Sequence, residues 1–269
     1  MTNIEKLREQ NREALLEYLF AEPEYNMFII GDTENCGFDS EHVEVFALRD
    51  CGAITCIALR FYNSWVIYSR DGDFDSRALA DFLSAHGFEM ISGKSDTVAA
   101  IAPYVKHTQL RMTRLARCRE AHGFELNYGS ALIRPMRAQE AEKIISFFCE
   151  IDEFRDDYIG KLEQRIEEKR AELASGSDSC FGVFDESGEL ISTAAIAARC
   201  SIGGMVVGVA TRKDMRGRGL ASAAVSAVCR DSLARGRGFV SIFYDNPVAA
   251  SIYKKIGFEE IGDYAMLKA

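Results

Sequence analysis

The stretch that decides the fold reads Val209-Ala-Thr-Arg-Lys-Asp-Met-Arg-Gly-Arg-Gly-Leu-Ala221 and continues as Ser222-Ala-Ala-Val-Ser-Ala-Val228. This pattern predicts the end of a strand, a loop rich in glycine and arginine, and a helix with a face of small residues. Glycines let backbone N–H groups approach a ligand closely, and a helix N-terminus carries a partial positive charge. Four cations share the turn, namely Arg212, Lys213, Arg216 and Arg218. The loop is therefore predicted to hold a diphosphate, with a plain helix start and solvated arginines as the alternative.

A second motif follows after a strand-length apolar run: Asn246-Pro-Val-Ala-Ala250-Ser-Ile-Tyr253-Lys-Lys-Ile-Gly257-Phe258. Together with Arg216-x-x-Gly219-x-Ala221, it resembles the two signatures of the GCN5-related N-acetyltransferases (the GNAT superfamily), Q/R-x-x-G-x-G/A and N-x-x-A-x-x-x-Y-x-x-x-G-F. The order of elements from residue 131 onward is similar to that family as well. The resemblance implies a mixed α+β fold, in which a central, mostly antiparallel and splayed sheet is flanked by helices.

The resemblance also implies acetyl-CoA as co-substrate and a role for each motif position. The strand end would offer backbone groups to the pantetheine and the acetyl carbonyl, and the loop N–H groups would hold the pyrophosphate. The implied cofactor-binding residues are Val209, Ala210, Thr211, Arg216, Gly217, Arg218, Gly219, Leu220, Ala221, Ser222 and Asn246. Tyr253 would be catalytic, protonating the thiolate as coenzyme A leaves, since a phenol with a pKa near ~10 suits that step. The alternative is a core aromatic on the face Ala249/Tyr253/Ile256.

The general base is not assigned by the sequence. Ser241 stands where many relatives carry a glutamate, Met205–Thr211 contains no carboxylate, and all four histidines lie before residue 128. A weakly basic acceptor amine, a backbone carbonyl or bulk water could suffice. An acidic cluster between the first two helices of the second half is another source, although a solvated loop would look the same. Its members are Glu150, Asp152, Glu153, Asp156 and Asp157.

Two function classes remain open on this reading. The first is an enzyme that transfers acetyl from acetyl-CoA to a primary amine, of a small molecule or a peptide, by direct attack in a ternary complex. The second is a non-catalytic sensor or scaffold that binds acyl-CoA. An acyltransferase with a different acyl donor is a further alternative. The acidic cluster favours a cationic acceptor.

Composition excludes several other classes. The chain has 269 residues and a formal net charge of −9, and neither half has the basic surplus of a duplex-binding protein. No apolar run is long enough to span a membrane and no secretory signal is visible, which predicts a cytoplasmic protein. Eight scattered cysteines form no C-x-x-C pair, so no metal is expected. The oligomeric state is open, with a homodimer as one alternative.

The chain divides into two predicted domains. Residues 129–269 carry both motifs and are expected to be the catalytic domain. Residues 1–128 lack R-x-x-G-x-G but show a similar order, with a helix to about residue 21, strands at Val43–Leu48, Ala53–Phe61 and Trp65–Ser69, a helix at Ser76–Ala85 and a strand at Phe88–Ile91. A degenerate GNAT-like or accessory α/β domain is therefore predicted for the first half.

Overall fold

A computed structural model describes residues 3–38, 40–126, 128–176 and 179–269. The described residues of the first half (residues 1–128) form six strands and four α-helices, and the last of these elements is a long strand. They are β1 (Asn3–Lys6), α1 (Arg12–Leu19), α2 (Met27–Cys36), β2 (Val43–Asp50), β3 (Ala53–Phe61), β4 (Ser64–Tyr68), α3 (Ser76–His86), β5 (Met90–Lys94), α4 (Ser95–Ile101) and β6 (Gln109–Cys118).

The described residues of the second half (residues 129–269) also form six strands, together with five α-helices. Its elements are β7 (Leu132–Pro135), α5 (Ala141–Glu150), α6 (Arg155–Tyr158), α7 (Leu162–Ala174), β8 (Ser179–Phe184), β9 (Leu190–Cys200), β10 (Gly203–Thr211), α8 (Leu220–Ala234), β11 (Phe239–Tyr244), α9 (Pro247–Ile256) and β12 (Phe258–Lys268).

All twelve strands of the described residues join one sheet, in the order β1-β2-β3-β4-β5-β12-β6-β11-β10-β9-β8-β7. Two of the eleven pairings between described neighbours are parallel, β4–β5 and β10–β11, and the others are antiparallel. Helices cover both faces of this sheet. The mixed fold with a mostly antiparallel sheet, expected from the sequence, is confirmed.

The sheet has a two-fold internal pattern with exchanged strands. From one edge of the sheet the order begins β1-β2-β3-β4-β5, and from the other edge it begins β7-β8-β9-β10-β11. The corresponding strands of the two halves therefore occupy corresponding places. However, β6 lies between β12 and β11, while β12 lies between β5 and β6. Each half therefore contributes its last strand to the sheet of the other half.

Two strands of the first half differ from the sequence reading. The prediction that a helix opens the chain is wrong for residues 3–6, which form β1 along β2, while residues 1 and 2 lie outside the described residues. Strand β2 supplies the backbone partners that select this conformation, and β1 forms the edge of the sheet. The sequence reading also contained no strand at β6, although β6 occupies the centre of the sheet.

The two parallel pairings differ in how far they extend. In the first half β4 and β5 stay paired from Ser64–Met90 to Ile67–Gly93. In the second half β10 and β11 pair only from Gly203–Phe239 to Met205–Ser241, although both strands continue beyond. The strands therefore diverge in the second half and leave a gap.

A bulge bends β10 at the start of this gap. Its register with β9 shifts between Val207 and Ala210, and bulges increase the local twist of a strand. Side chains of β9 secure the bulge: Thr193 Oγ1 donates to the Gly208 carbonyl at 2.8 Å, and Ser192 Oγ donates to the Ala210 carbonyl at 2.7 Å. The divergence of β10 and β11 is thus built into the strand pair.

The described residues contain neither a candidate membrane-spanning helix nor a candidate metal-binding group. None of their helices has both the length and the apolar character needed to cross a membrane. Nor do they bring three or more His, Cys, Asp or Glu side chains together in a group that could hold a metal ion.

Candidate functional site

The predicted diphosphate loop connects β10 to α8. A single turn of 3₁₀ helix, Lys213–Met215, follows the strand, and α8 begins at Leu220. Gly217 and Gly219 both have φ of +78°, a left-handed conformation that glycine adopts without strain. Within the described residues, no backbone N–H from Gly217 to Ser222 donates a hydrogen bond to another residue. These N–H groups are available to an anion at the positive end of a 15-residue helix.

A cavity of about 510 Å³ opens at this loop. Its size falls within the range of small-molecule sites. It is lined by nine of the predicted cofactor-binding residues, Val209, Ala210, Thr211, Arg216, Gly217, Gly219, Leu220, Ala221 and Ser222. The structure therefore brings together the end of the bent strand, the loop and the first turn of α8 on one surface.

Three predicted residues lie outside the cavity wall. The Arg218 guanidinium turns away, donates to the Tyr128 hydroxyl at 2.9 Å and stacks over that ring at 5.0 Å. Asn246 is exposed just before α9. Tyr253 is 9% exposed in the apolar core under α8 and α9, where its ring contacts those of Tyr244 and Phe258. This placement fits the core-aromatic alternative, so the catalytic role of Tyr253 stays a prediction.

The cavity has further wall residues that the sequence reading did not assign to it. Ile252 and Lys255 come from α9 and lie one turn apart, so the helical spacing of the second motif could have identified them. Phe124 comes from the connection between the halves, and its ring lies against Gly219. No local pattern marks that contact, because it depends on how the connection crosses α8.

The acidic cluster predicted to attract an amine lies beside the loop cations. Glu153 lines the cavity and accepts from Arg216 Nη2 at 2.9 Å, and this hydrogen bond lowers the Glu153 pKa. Asp152 lies 3.2 Å from Arg155 and 3.6 Å from Lys213. These two carboxylates are therefore already paired.

The corresponding loop of the first half has the opposite charge. It follows β4 and reads Ser69-Arg-Asp-Gly-Asp-Phe-Asp75, with three aspartates. The Asp75 side chain caps α3 by accepting from the Ala78 N–H at 2.9 Å. A carboxylate thus occupies the helix N-terminus that would otherwise receive an anion.

Comparisons with known proteins agree with this arrangement. A family model for GNAT acetyltransferases matches residues 68–267. No curated protein matches the sequence significantly. Among solved structures, the chain is similar to a GCN5-related N-acetyltransferase-like protein from Streptococcus suis, at 17% identity and TM-score 0.59, over 96% of this chain and 98% of that one.

Two further structures are similar over the whole chain. A tandem GNAT protein from the clavulanic acid biosynthesis pathway has 13% identity and TM-score 0.60, covering 100% of this chain and 98% of that one. A GCN5-related N-acetyltransferase from Sphaerobacter thermophilus has 14% identity and TM-score 0.65, covering 100% and 95%. At these identities the similarity shows the fold alone. The family match spans most of the sequence, and the chain therefore belongs to the GNAT acetyltransferase family and is an acyltransferase.

Proposed function

We propose that the second half transfers an acetyl group from acetyl-CoA to a primary amine of a small molecule or peptide, by direct attack in a ternary complex. The observation that carries this proposal is the row of N–H groups from Gly217 to Ser222, which donate to no other described residue and line a cavity at the diverging end of β10. Gly217 supports the fit, because a Cβ built there meets no atom within 4 Å. A diphosphate can therefore approach the backbone closely.

Each part of the site has a proposed task. The N–H groups from Gly217 to Ser222 hold the pyrophosphate, and the backbone of Val209–Thr211, unpaired on the side of β11, aligns the pantetheine and polarises the thioester carbonyl. Most of the rate enhancement then comes from holding thioester and amine in line within a preorganised oxyanion site. Tyr253 supplies the proton to the leaving thiolate.

The division of labour between the halves belongs to the same proposal. Residues 129–269 form the catalytic GNAT unit, and residues 1–128 are a GNAT-like unit that has lost the cofactor site. Two observations support the loss: β4 and β5 remain paired where β10 and β11 diverge, and the loop after β4 carries three aspartates. Anions would be repelled there.

The test is release of free thiol from acetyl-CoA in the presence of a panel of primary amines. Wild-type protein is expected to release thiol with at least one amine. Gly217→Val should abolish both release and acetyl-CoA binding, because its side chain would fill the anion site. Gly236→Val is the matched control, since Gly236 also has positive φ and open surroundings but follows the far end of α8.

Unchanged acetyl-CoA affinity in folded Gly217→Val would refute the site. Binding of acetyl-CoA without thiol release from any amine would instead favour the sensor or scaffold alternative. Release with a longer acyl-CoA but not with acetyl-CoA would establish a different donor.

A further inference from the structure

The gap between β10 and β11 has a second face, on the side of the sheet opposite α8 and α9. Val207 of β10 lies where two cores of this face meet, one built around α1 and α2 and the other around α5. Phe243 of β11 points to the same face and is only partly buried. An acceptor that approaches the gap from this face meets the cores of α2 and α5.

Helix α2 of the first half forms one wall of that approach. It packs mainly on β9, and its Phe28 ring stacks on the Phe243 ring at a centroid distance of 6.2 Å. Near its other end, Glu34 accepts from the backbone N–H of Ser201 at 2.7 Å, at the turn between β9 and β10. The helix therefore crosses the second half of the sheet, and Glu34 faces the end where β10 and β11 are paired.

Helical geometry then fixes the direction of Asp32. Two residues of α-helix correspond to a rotation of about 200°, so Asp32 lies on nearly the opposite side of α2 from Glu34. It lies one turn from Phe28, which places both on the side of the diverging strands. Asp32 is partly buried, and its carboxylate has no side-chain hydrogen bond or ion pair within the described part of the chain.

Ser241 gives an independent indication of a polar ligand under this helix. It is fully buried at the last position where β11 pairs with β10, and its Oγ has no partner among the described residues. Buried hydroxyls normally have a hydrogen-bond partner. A water or a substrate group at the base of the gap would provide one.

We propose that Asp32, a residue of the first half, is the base that takes a proton from the acceptor amine for the reaction in the second half. This inference rests on the proposed function. The acceptor ammonium gives one proton to the Asp32 carboxylate, and the nitrogen lone pair forms a bond to the acetyl carbonyl carbon. The C–S bond then breaks with its electron pair on sulfur. Tyr253 protonates that thiolate and recovers a proton from solvent, while the second amine proton is lost to solvent. This gives amide and free thiol, and Asp32 returns its proton to solvent.

The protonation state of Asp32 suits this role. Burial raises its pKa to about 6, so it is ionised at neutral pH but basic enough to accept a proton. The titratable groups near it are Tyr264 on β12 and Cys36 on α2, whose pKa values are both raised and which stay neutral below about pH 8. The charge of Glu34 faces Ser201, and that of Arg12 on α1 faces Glu9. Asp32 is therefore the group expected to titrate here near pH 6.

The first experiment measures thiol release with methylamine as acceptor between about pH 5 and pH 8. Asp32→Asn is expected to be about 100-fold slower than wild type near pH 8. The ratio should fall to about half of that value at pH 6 and to about tenfold near pH 5, because the wild-type base is then mostly protonated. Glu34→Gln, on the opposite side of the same helix, should keep the wild-type rate. A ratio of one throughout, or a loss that does not change with pH, would overturn the proposal.

A second experiment needs no turnover of methylamine. The Asp32 carboxyl carbon is followed by NMR during a pH titration of acetyl-CoA-loaded protein labelled with ¹³C-aspartate, with Asp32→Asn to assign the signal. Excess methylammonium chloride should lower the Asp32 midpoint relative to equal sodium chloride. An unmoved midpoint contradicts the role of Asp32. Failure to load acetyl-CoA contradicts the proposed function instead, while a lowered midpoint in that unloaded protein would still support Asp32 as the amine site.

Discussion

Individual side chains around the α8 N-terminus are largely neutralised before any ligand binds. The Arg216 guanidinium donates to Glu153 at 2.9 Å and to the Thr211 carbonyl at 3.2 Å, and Arg212 donates to Asp214 at 2.8 Å. Exposed ion pairs of this kind contribute little and are screened by salt. The proposed binding of a diphosphate by this loop would therefore depend mainly on its backbone N–H groups rather than on its surplus of arginine.

Tyr253 is predicted to act as the general acid, and removal of its hydroxyl tests this role. Burial raises its pKa to about 12, so the phenol keeps its proton at neutral pH, as a general acid must. Tyr253→Phe removes the hydroxyl and keeps the ring contacts with Tyr244 and Phe258. We expect kcat to fall about 10²-fold with unchanged acetyl-CoA affinity, and the wild-type pH profile to show no inflection from Tyr253 below about pH 11.

The matched control for this prediction is Tyr244→Phe, whose hydroxyl donates to Glu260 at 2.8 Å on the protein surface. Steady-state kinetics and calorimetry of both variants make the comparison. If Tyr253→Phe and Tyr244→Phe have the same kcat, Tyr253 is a core aromatic and solvent protonates the thiolate.

At the scale of elements, the sequence predicts what is encoded locally. The run from β10 through the loop to α8, and from β11 to α9, follows from periodicity and turn chemistry within a few residues of each motif. Strand β6 was missed because Arg111, Arg114 and Arg117 interrupt its alternation, and they are accommodated only by distant acids. The partners of Arg114 and Arg117 include Asp263 and Glu24, at 2.8 Å each.

The position of Asp32 could not be predicted for a related reason. Its helix, α2, precedes the second half by more than ninety residues, and only tertiary packing brings it over β9. Locally, Asp32 is one acid in a helix that turns polar toward its end. The proposal of Asp32 as the base therefore required the three-dimensional arrangement. The anion-binding loop, in contrast, could be predicted from the sequence alone.

The pairing of β4 with β5 is predicted to require glycine at position 93. Gly93 has φ of +156°, and a Cβ there would lie 2.0 Å from the Ile67 carbonyl oxygen. Gly93→Ala would force the strands apart and is expected to cost about 3 kcal/mol of unfolding free energy. Urea denaturation followed by Trp65 fluorescence measures this loss.

Gly72→Ala is the control, because Gly72 also has positive φ but has open space around its Cα. It should lose only the smaller cost of backbone strain. Equal losses in the two variants would show that β4 and β5 tolerate separation, and the contrast with the second half would then fail.

For the whole molecule, the exchange of β6 and β12 ties the two halves together. The two strands pair with each other along ten positions, from Phe258–Cys118 to Lys268–Gln109. Neither half can lose its last strand without opening the sheet of the other. Unfolding is therefore expected to be a single cooperative transition.

Cooperative unfolding can be tested by following the unfolding of each half with its own reporter. Trp65 is the only tryptophan and is fully buried in the first half, and Cys229 is fully buried in the second. Trp65 fluorescence and mass-spectrometric alkylation of Cys229 should show the same urea midpoint. Alkylation of Cys229 at clearly lower urea than the Trp65 transition would mean that the halves unfold independently.

The most direct test of the central claim is amide hydrogen exchange with and without acetyl-CoA. The N–H groups from Gly217 to Ser222 lack acceptors within the described structure, so they should exchange rapidly in the free protein. Acetyl-CoA is predicted to slow their exchange at least about tenfold and to leave the counterpart loop, residues 69–75, unchanged. Unaltered exchange at 217–222 under saturating acetyl-CoA, or protection at 69–75 instead, would contradict the assignment of the cofactor site to the second half.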